Sequence, residues 1–471
     1  MDITLINITT KTTFDGVLVN RLSTVGIFSI IACLEQVGIE VDFREYFLDF
    51  EIGAEKELET AVKFFEKSEK IIGIGCHSIH LPFAVKISQE IKKRYPEKFI
   101  ILGGIGPSLV ADKLMVEFDK IDMVVVGEAE LNFPVIVKRL MENNRDFSDI
   151  GGIVFRKEGR IIQTPAMERI EDLDDIPMPA YKYLDVATYR QPMVMVARGC
   201  PFGCPFCSLG GYWKRKITYR SPERISEELK ILETMGVKKV FFADSCFMLN
   251  KPRLKSYIEM IRKNSGMKEY KTYGRLDLID EEACSMLADV NFNAIFYGLE
   301  SGSDAVLKEI KGGFTVEQGL KVIEMSKKYF SRIEVSLMWG FPFETLEDLK
   351  QTIKVHDYLK NELGCVVQLT WFQPFVNTPY FEKYKDTLYR PEMLSAIYDR
   401  DKGRQQVSAT FSHAGEYDYT ISLRSVISHS HVYSMASDII NENPEIFPDF
   451  HRYKTLDLEE KVKLTNKIVP S

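Results

Sequence analysis

The stretch IIGIGCHSIHLPFAVKISQEIKKRYPEKFIILGG, residues 71–104, contains two short apolar runs separated by a longer amphipathic segment. The runs 71–78 and 99–104 are mostly apolar, whereas the apolar residues of 83–95 recur at helical spacing. A strand, a helix and a second strand in this order indicate a parallel sheet with helices covering both faces. We therefore predict a parallel α/β domain around this unit.

The same alternation of apolar runs and amphipathic segments extends over residues 1–150. Further strands are predicted at residues 3–8, 40–47 and 122–128. A helix predicted at 26–38 ends at Gly38, a residue typical of helix termination. We predict a Rossmann-type, doubly wound domain with flavodoxin-like strand order, in which a ligand would lie along the carboxyl edge of the sheet.

A hairpin and a linker follow this domain in residues 151–190. Residues 151–165 contain two β-rich runs joined at KEG, which predicts a β-hairpin. Residues 171–185 are acidic and contain two prolines. This change of composition indicates a domain boundary near 170–190.

A second βα series occupies residues 191–384. Its candidate strands are 193–198, 239–245, 270–277, 294–301, 332–342 and 366–375. Its predicted helices include 222–235, 280–289, 316–329 and 345–360. Because six strands are too few for an eight-stranded barrel, we predict an open, partial (β/α)6 TIM-like barrel with functional residues at the carboxyl ends of its strands. Residues 385–471 are interpreted as a small, mostly helical capping element that contributes to substrate binding.

Composition limits the classes of protein and partner. The 471 residues are 45% hydrophobic and 27% charged, with a formal net charge of −7. This is the profile of a globular protein, and the acidic balance argues against nucleic-acid binding through phosphate contacts. The sequence shows neither a secretory signal pattern nor an apolar run long enough to span a membrane. We expect a cytoplasmic protein in a reducing compartment, with no membrane insertion and no nucleic-acid partner.

Three cysteines lie close together in VARGCPFGCPFCSLGG, residues 196–211. Cys200, Cys204 and Cys207 have a CxxxCxxC spacing, and clustered thiolates are ligands of zinc and of iron–sulfur clusters. Both kinds of site commonly take four protein ligands, but no fourth cysteine or histidine lies nearby in the sequence. The spacing favours an iron–sulfur cluster with one iron open to a small molecule over a zinc site completed by a remote residue.

This loop resembles the signature loop of the radical S-adenosylmethionine (radical SAM) superfamily. The resemblance rests on RGCPFGCPFC and on FFADSCF, GRLDLID, FYGLESGSDAVLKEIKGGFT, WGFPFETLEDLKQT and QPFVNTPYFE, and it covers residues 192–382. In that family three cysteines hold a [4Fe-4S] cluster, whose open iron is chelated by S-adenosylmethionine before cleavage to a 5'-deoxyadenosyl radical. The resemblance implies this role for the three cysteines, with Phe206 beside the cofactor. The family usually has glycine where Asn377 stands, and asparagine tolerates the positive φ of such a turn.

The resemblance also implies cofactor roles for residues near later strand ends. Asp244 and Ser245 are expected at the amino group of S-adenosylmethionine, Arg275 at its carboxylate, and Glu300 at its ribose or amine. Structural roles are the alternatives: Asp244 as a helix N-cap, Arg275 in a surface ion pair, and Glu300 as a strand-end carboxylate.

The first 150 residues resemble the cobalamin-binding domain of a large radical SAM subclass, the class B methyltransferases. The resemblance rests on GIFSIIACLEQVGIEVDFREY, on the extended run from GIGCHS to LGGIGPS, and on DMVVVGEAE. The DxHxxG motif of other cobalamin domains is absent here, as it often is in this subclass. A polar strand-end role for His77 is favoured over the alternative that it ligates cobalt. The glycines are expected where the backbone passes close to a bulky ligand. The residues placed at cobalamin are Cys76, His77, Ser78, Gly103, Gly104, Gly106, Gly127 and Glu128.

These resemblances imply an enzyme with a [4Fe-4S] cluster, S-adenosylmethionine and cobalamin as cofactors. The favoured function is methyl transfer to an unactivated carbon, or phosphorus, of a small-molecule or peptide substrate. An electron donor such as flavodoxin or ferredoxin is the expected partner. The alternatives are cyclisation, ring rearrangement or oxidation without net methyl transfer, and a non-catalytic cobalamin or iron–sulfur sensor. A methylthiotransferase would need a second cluster, for which the first domain has too few thiols.

The sequence identifies neither the substrate nor a catalytic residue. Tyr297, Trp339 and Trp371 fall near predicted strand ends and are candidates for lining a substrate cavity, although core positions explain them equally well. The C-terminal segment contains four of the seven histidines, His413, His429, His431 and His451. The SHSH spacing places two imidazoles on different sides of a helix, and no metal site is predicted there.

Overall fold

The chain forms two compact units, each of which is assembled from two separate segments. The computed structural model describes residues 1–10, 13–14, 17–18, 25–49, 52–189, 191–264, 266–390, 419–455 and 457–468. The first unit comprises Met1–Tyr189 and Ser428–Phe450, and the second comprises Arg190–Ile427 and His451–Ser471. The C-terminal segment is therefore divided between the two units.

The first unit contains a seven-stranded sheet. Its strands are β1 Ile3–Thr10, β2 Val41–Leu48, β3 Ile71–Gly75, β4 Phe99–Gly103, β5 Met123–Val125, β6 Ile153–Lys157 and β7 Arg160–Gln163. The order is β2-β1-β3-β4-β5-β6-β7, in which the first five strands are parallel. The predicted flavodoxin-like order is thus confirmed, and the hairpin β6–β7 extends the sheet by antiparallel pairing.

Helices and turns of the first unit follow the sequence pattern closely. The helices are α1 Val25–Gln36, α2 Ala54–Glu66, α3 Leu81–Arg94, α4 Ile105–Ser108, α5 Ala111–Glu117 and α6 Phe133–Met141. Helix α1 ends where Gly38 adopts a φ of 81°, which favours glycine. The hairpin turns through Glu158 and Gly159, both at positive φ. A two-residue ladder joins Thr13–Phe14 to Val17–Leu18.

The second unit contains a six-stranded parallel sheet. Its strands are β8 Met193–Val194, β11 Lys239–Phe242, β12 Glu269–Gly274, β13 Phe292–Glu300, β14 Arg332–Trp339 and β15 Val366–Trp371, paired in this order. The predicted first strand is divided, because β9 Ala197–Gly199 leaves the sheet and pairs antiparallel with β10 Ile217–Tyr219. Strands β16 Leu388–Tyr389 and β17 Arg452–Tyr453 form a further small ladder.

Helices alternate with these strands, as the sequence predicts. They are α7 Ser208–Tyr212, α8 Pro222–Thr234, α9 Lys251–Asn264, α10 Glu281–Ala288, α11 Asp304–Ile310, α12 Val316–Ser326, α13 Leu346–Asp357 and α14 Pro379–Tyr384; of the two C-terminal helices, α15 Tyr419–Glu442 belongs mostly to the first unit and α16 Leu458–Ile468 to the second. Seven of them, in the described part of the chain, begin at a side chain that accepts a backbone N–H in the first turn: Ser221, Asn250, Asp280, Ser303, Thr315, Thr345 and Thr378. These caps satisfy N–H groups that have no partner inside the helix, and they fix where each helix starts.

Among the described residues, no helix combines the length and hydropathy that crossing a bilayer requires. Asn377 adopts a φ of 58°, as expected for an asparagine in the place of a turn glycine.

Candidate active site

The three clustered cysteines lie on the loop between β9 and α7 of the second unit. Cys200 directly follows β9, and Cys207 directly precedes α7. A turn joins the last two, since the backbone N–H of Cys207 donates to the carbonyl of Cys204 at 3.1 Å. All three are partly exposed, although burial raises the pKa of Cys207 to about 11. The loop thus presents three free thiols at one end of the sheet.

The thiols are not drawn around a single point. Within the described parts of the chain, no three His, Cys, Asp or Glu side chains are gathered closely enough to hold one metal ion. A four-iron cluster binds each thiolate at a different corner, so it requires more widely spaced ligands than a single ion does. A loop with three free, partly exposed thiols therefore suits a cluster better than a lone zinc ion.

Arg275 lies beside this loop, immediately after β12. Its guanidinium carbon is 3.5 Å from the ring centroid of Phe202, and its nitrogens contact the Asp277 carboxylate at 2.7 and 3.0 Å. It also interacts with Cys204, which helps to raise the pKa of the guanidinium despite its burial. From the sequence, Arg275 was expected at a carboxylate. The structure holds it between a carboxylate, an aromatic ring and a thiol.

Phe206 lies on the same loop and packs edge-on against Phe341, with ring centroids 6.3 Å apart. Its side chain is half-buried. The ring therefore connects the cysteine loop to the turn that follows β14.

Glu300 ends β13 with a φ of 75°, a conformation that few non-glycine residues adopt. Its carboxylate lies 3.4 Å from the ammonium group of Lys311, which also donates to the carbonyl of Gly298 at 2.5 Å. The charges of Lys311 and Arg275 both favour the thiolate of Cys200. Lys311 was not predicted from the sequence. Its only signal was a lysine within the segment KEIKGGFT that follows Glu300.

Asp244 is deeply buried beyond the end of β11. One carboxylate oxygen accepts the backbone N–H of Ala197 at 2.5 Å, and so Asp244 anchors the strand that leads into the cysteine loop. The other oxygen, Oδ2, is buried without a hydrogen-bond partner among the described residues. Burial raises the pKa of Asp244 to about 7. An unsatisfied buried oxygen calls for a donor, which an amino group can supply, and the half-buried Ser245 adjoins it.

Cys246 is a second residue that was not predicted from the sequence. Its Sγ atom lies 3.4 Å from that of Cys200, and the hydrogen bond between them lowers the pKa of Cys200 to about 6. Forty-six residues separate the two cysteines in the sequence, and no local pattern links them. The position of Cys246, just after a buried strand, was the available signal.

In the first unit, Cys76, His77 and Ser78 follow β3 at the carboxyl edge of the sheet. Cys76 is buried, and burial raises the pKa of its thiol. His77 has an accessible side chain, although the protein around it lowers the pKa of the imidazole, as expected for a residue that lines a recess. Cys76 is thus closed to a ligand, whereas the side chain of His77 is accessible to one.

Two glycines of the neighbouring loop, predicted at the ligand, lie against another part of the chain. A Cβ atom on Gly104 would lie 2.8 Å from the carbonyl oxygen of Cys76, and one on Gly106 would lie 2.7 Å from the backbone of His77 and Ser78. Glycine is therefore needed at these positions because two loops of the chain pack closely together.

Two other glycines border open space. A Cβ atom on Gly103 or Gly127 would meet no heavy atom within 4 Å, and Gly127 has a φ of 85°. Both lie where parallel strands end, and Gly127 donates its N–H to Ser108 at 3.2 Å. The carboxylate of Glu128 pairs with Arg169 at 3.3 Å, and its predicted place at the ligand stays a prediction. The space beside both glycines is therefore free of other described protein atoms.

The three proposed cavity residues differ in their surroundings. Tyr297 is fully buried, and its hydroxyl lies 2.8 Å from Ser326 of α12. Because side chains alternate along β13, the Tyr297 ring faces the helical layer. Its predicted role in lining the cavity is therefore wrong. Trp339 is buried and meets Trp371 edge-on at 5.3 Å. Trp371 is half-buried, with the guanidinium of Arg452 4.8 Å from its ring. Of the three, Trp371 is the most accessible.

Of the C-terminal histidines, His413 lies outside the described residues. His429, His431 and His451 are buried, and His429 packs against Phe450 with ring centroids 5.4 Å apart. Burial lowers the pKa of His431 to about 4, so this imidazole is neutral over the physiological range. These three side chains belong to the interior of the fold.

Family models and relatives agree with this architecture. A model described as the B12 binding domain matches residues 13–137, and one described as the Radical SAM superfamily matches residues 194–355. An uncharacterized methyltransferase of Pyrococcus horikoshii is 29% identical over 318 residues, which cover 66% of this chain and 68% of that protein. An anaerobic magnesium-protoporphyrin IX monomethyl ester cyclase of Synechocystis is 25% identical over 340 residues, 70% of this chain and 66% of that protein. The aligned region thus spans about two thirds of each relative.

Among solved structures, the radical S-adenosylmethionine methyltransferase TsrM from Kitasatospora setae has a similar fold. The TM-score is 0.65 at 16% sequence identity, over 82% of this chain and 76% of that one. A second structure of TsrM contains cobalamin and a [4Fe-4S] cluster. At this identity the similarity establishes the fold alone.

The two matched domains and the fold define a radical SAM enzyme with an N-terminal B12-binding domain. This chain is therefore a cobalamin-dependent radical SAM enzyme, and its two domains imply a [4Fe-4S] cluster, S-adenosylmethionine and cobalamin as its cofactors.

Proposed function

We propose that the enzyme transfers a methyl group to an unactivated carbon, or phosphorus, of a small-molecule or peptide substrate. The observation that carries the proposal is the presence of a B12-binding domain and a radical SAM domain in one chain. The Pyrococcus horikoshii relative, which is named a methyltransferase, supports this choice. When bound, the cofactors would supply a carbon-centred radical and a carrier for the methyl group.

The cysteine loop provides the ligands for the cluster in this proposal. Cys200, Cys204 and Cys207 are free thiols on one loop, and thiolates are the preferred protein ligands of iron–sulfur clusters. Arg275 and Lys311 place two positive charges near Cys200, which stabilise the negative charge of the thiolates. These two cations favour both ligand binding and retention of the cluster.

The neighbouring polar groups suit S-adenosylmethionine. The buried Oδ2 atom of Asp244 would accept a hydrogen bond from the amino group, which removes the cost of leaving that oxygen unsatisfied. The guanidinium of Arg275 has donors in a planar fork, a geometry that matches a carboxylate. Glu300 would accept from a ribose hydroxyl while Lys311 holds its carboxylate in place.

In the first unit, the strand ends at Gly103 and Gly127 would receive the corrin ring. Neither position has protein atoms in the space where a side chain would begin. His77 is accessible at the adjoining strand end and would face the same ligand. The chain would thus hold cobalamin through shape and backbone contacts.

A substrate-free assay tests methyl transfer directly. Anaerobically reconstituted protein is incubated with cobalamin, dithionite and S-adenosylmethionine labelled in its methyl group. We expect label in the cobalamin fraction together with S-adenosylhomocysteine, and separately 5'-deoxyadenosine. Formation of 5'-deoxyadenosine with no label on cobalamin would exclude the methyltransferase.

Substitution of the cluster ligands tests the site. We expect Cys200→Ala, Cys204→Ala and Cys207→Ala to lose cluster iron and all formation of 5'-deoxyadenosine. Cys284→Ala is the matched control, because Cys284 is buried elsewhere beside Ser326. Full 5'-deoxyadenosine formation by any of the three ligand variants would contradict the assignment. Iron and sulfide content checks each variant independently of activity.

A cyclase, ring-rearranging or oxidising enzyme is the second candidate. It is favoured by the Synechocystis relative, which is named an anaerobic magnesium-protoporphyrin IX monomethyl ester cyclase. Such an enzyme would use the same cluster and cobalamin without net methyl transfer. The labelling assay separates the two, since the second candidate predicts 5'-deoxyadenosine without S-adenosylhomocysteine.

A further inference from the structure

Two cysteines of the second unit are in direct contact although only one belongs to the cluster motif. The Sγ atoms of Cys200 and Cys246 are 3.4 Å apart. Cys200 directly follows β9, and Cys246 lies just beyond the end of β11. Among the described residues, neither Cys204 nor Cys207 makes a comparable sulfur–sulfur contact.

The two sulfurs lie close to bonding distance. A disulfide bond requires a separation of about 2.05 Å, which is about 1.4 Å less than the contact seen here. Sulfurs bound to different corners of a four-iron cluster stand well beyond contact distance. The observed contact therefore does not suit two ligands of one cluster, but it suits two thiols that can be joined.

The two thiols differ in accessibility, and this difference sets the order of reaction. Cys200 is partly exposed, whereas Cys246 is buried with 4% of its surface accessible. An oxidant from solution therefore reaches Cys200 first. Cys246 is already in place to attack the sulfur of Cys200 from the interior. An accessible thiol beside a second, resolving thiol is the usual arrangement in reversible thiol oxidation.

We propose that Cys200 and Cys246 form a reversible disulfide when the cluster is absent, with a low-molecular-weight disulfide such as oxidised glutathione as the oxidant. The Cys200 thiolate attacks one glutathione sulfur, forms a mixed disulfide and releases one reduced glutathione. Cys246 loses its proton, attacks the sulfur of Cys200 and releases the second glutathione. In total, two cysteine thiols lose two electrons and two protons, and one glutathione disulfide becomes two thiols.

This bond has two consequences for the enzyme. It removes a cluster ligand, so cluster assembly must wait until the disulfide is reduced. It also protects Cys200 from irreversible oxidation to sulfinic acid while the cluster is missing. Cys246 thereby acts as a resolving cysteine. The disulfide belongs to the cluster-free protein and does not depend on methyl transfer.

Peptide mapping of the cluster-free full-length protein tests the proposal. The protein is treated anaerobically with oxidised glutathione, its remaining thiols are alkylated, and the digest is analysed by mass spectrometry without reductant. We expect one peptide pair joined through Cys200 and Cys246, which separates after dithiothreitol. Cys246→Ser should instead keep glutathione on Cys200, and Cys284→Ser should behave as the wild type.

Two results would overturn the proposal. One is a dominant link between Cys204 and Cys207, and the other is wild-type protein that retains glutathione on Cys200 just as Cys246→Ser does. The wild-type map alone identifies the joined pair, so the test remains decisive even if a variant fails to fold. The protein contains no iron–sulfur cluster at any stage of this experiment. The peptide map is therefore independent of the methyl-labelling assay, and failure of that assay would leave the disulfide result unchanged.

Discussion

Arg275 shows how one residue combines several roles at the cysteine loop. Its guanidinium covers the ring of Phe202, pairs with Asp277 through two contacts and interacts with Cys204. A lysine could keep the charge, but it would lose both the planar stacking and the paired donors. The shape of the guanidinium is therefore as important here as its charge.

We expect Arg275→Lys to weaken S-adenosylmethionine binding by about 10- to 150-fold, because a charged hydrogen bond contributes about 1.5 to 3 kcal/mol. Anaerobic titration of the cluster-loaded protein measures the dissociation constant. Arg262→Lys is the matched control, since Arg262 is exposed and lies 3.7 Å from Asp289. Equal affinities for wild type and Arg275→Lys would remove Arg275 from the binding site.

For single residues, the sequence predicts the features that depend on spacing within a short motif. The three cysteines and Asn377 follow from motifs within a few residues of each other. Cys246 and Lys311 were missed, because their contacts with other site residues depend on how separate strand ends meet. The contacts of Gly104 and Gly106 were not foreseen for the same reason, because the close neighbour of each is another loop of the protein.

At the scale of elements, apolar runs and capping residues determine most strands and helices. The exception is the first barrel strand, which the apolar pattern predicts as one strand over 193–198. In the structure β8 ends at Val194, and β9 pairs with β10 instead. An apolar run indicates that a segment is buried, but it does not indicate which strand the segment pairs with. The pairing of β9 with β10 determines where the cysteine loop begins.

Helix α16 is attached to the turn after β14 by a buried ion pair. Lys461 and Glu344 have fully buried side chains 3.7 Å apart, and the lysine also donates to the carbonyl oxygen of Glu344. Burial raises the pKa of Glu344 to about 7, and the N–H of Gly340 donates to its carboxylate at 2.6 Å. A buried carboxylate of this kind depends strongly on its partner.

We expect Lys461→Met to lower the free energy of unfolding of the second unit by about 3 to 5 kcal/mol, because it leaves a buried charge unpaired. Urea unfolding followed by tryptophan fluorescence measures this, since Trp213, Trp339 and Trp371 all lie in that unit. Lys463→Met is the control on the same helix. Lys463 pairs with the exposed Glu459, and its loss should change the free energy of unfolding by less than about 1 kcal/mol.

The decrease in the free energy of unfolding caused by Lys461→Met should also depend on pH. Glu344 binds its proton more tightly in the folded than in the unfolded protein, so its contribution to stability falls as pH rises from 4.5 to about 7. The variant should therefore be less impaired at pH 5 than at pH 8, and adding Glu344→Gln should restore stability at the higher pH. A loss that is equal at both pH values would contradict this account.

At the scale of the whole molecule, the chain returns to its first unit after completing most of the second. Residues 428–450 belong with Met1–Tyr189, and Lys86 pairs with Asp438 at 2.7 Å. The sequence predicts residues 428–453 as helix and loop, but it assigns them to a capping element, because contacts across more than 300 positions leave no periodic pattern. Long-range pairing is the part of the fold that one sequence leaves open.

Phe447 provides a test of this discontinuous unit. It is buried, with 2% of its surface accessible, and its ring centroid lies 6.0 Å from that of Phe118 in the N-terminal segment. Phe447→Ala removes a large buried side chain, and we expect it to lower the stability of the first unit by about 3 to 5 kcal/mol. Faster hydrogen exchange should then appear in the amides of β1, β3 and β4, although Phe447 is far away in sequence.

Val116→Ala is the control for this variant, because Val116 lies in the same unit but is 68% exposed and should have little effect on exchange. If the C-terminal segment formed an independent cap instead, Phe447→Ala would speed exchange only within residues 428–450 and leave the strands protected. Exchange measured strand by strand separates the two outcomes. It also decides whether the first unit can be studied alone, because a fragment ending at Tyr189 would lack Phe447 and the residues that pack with it.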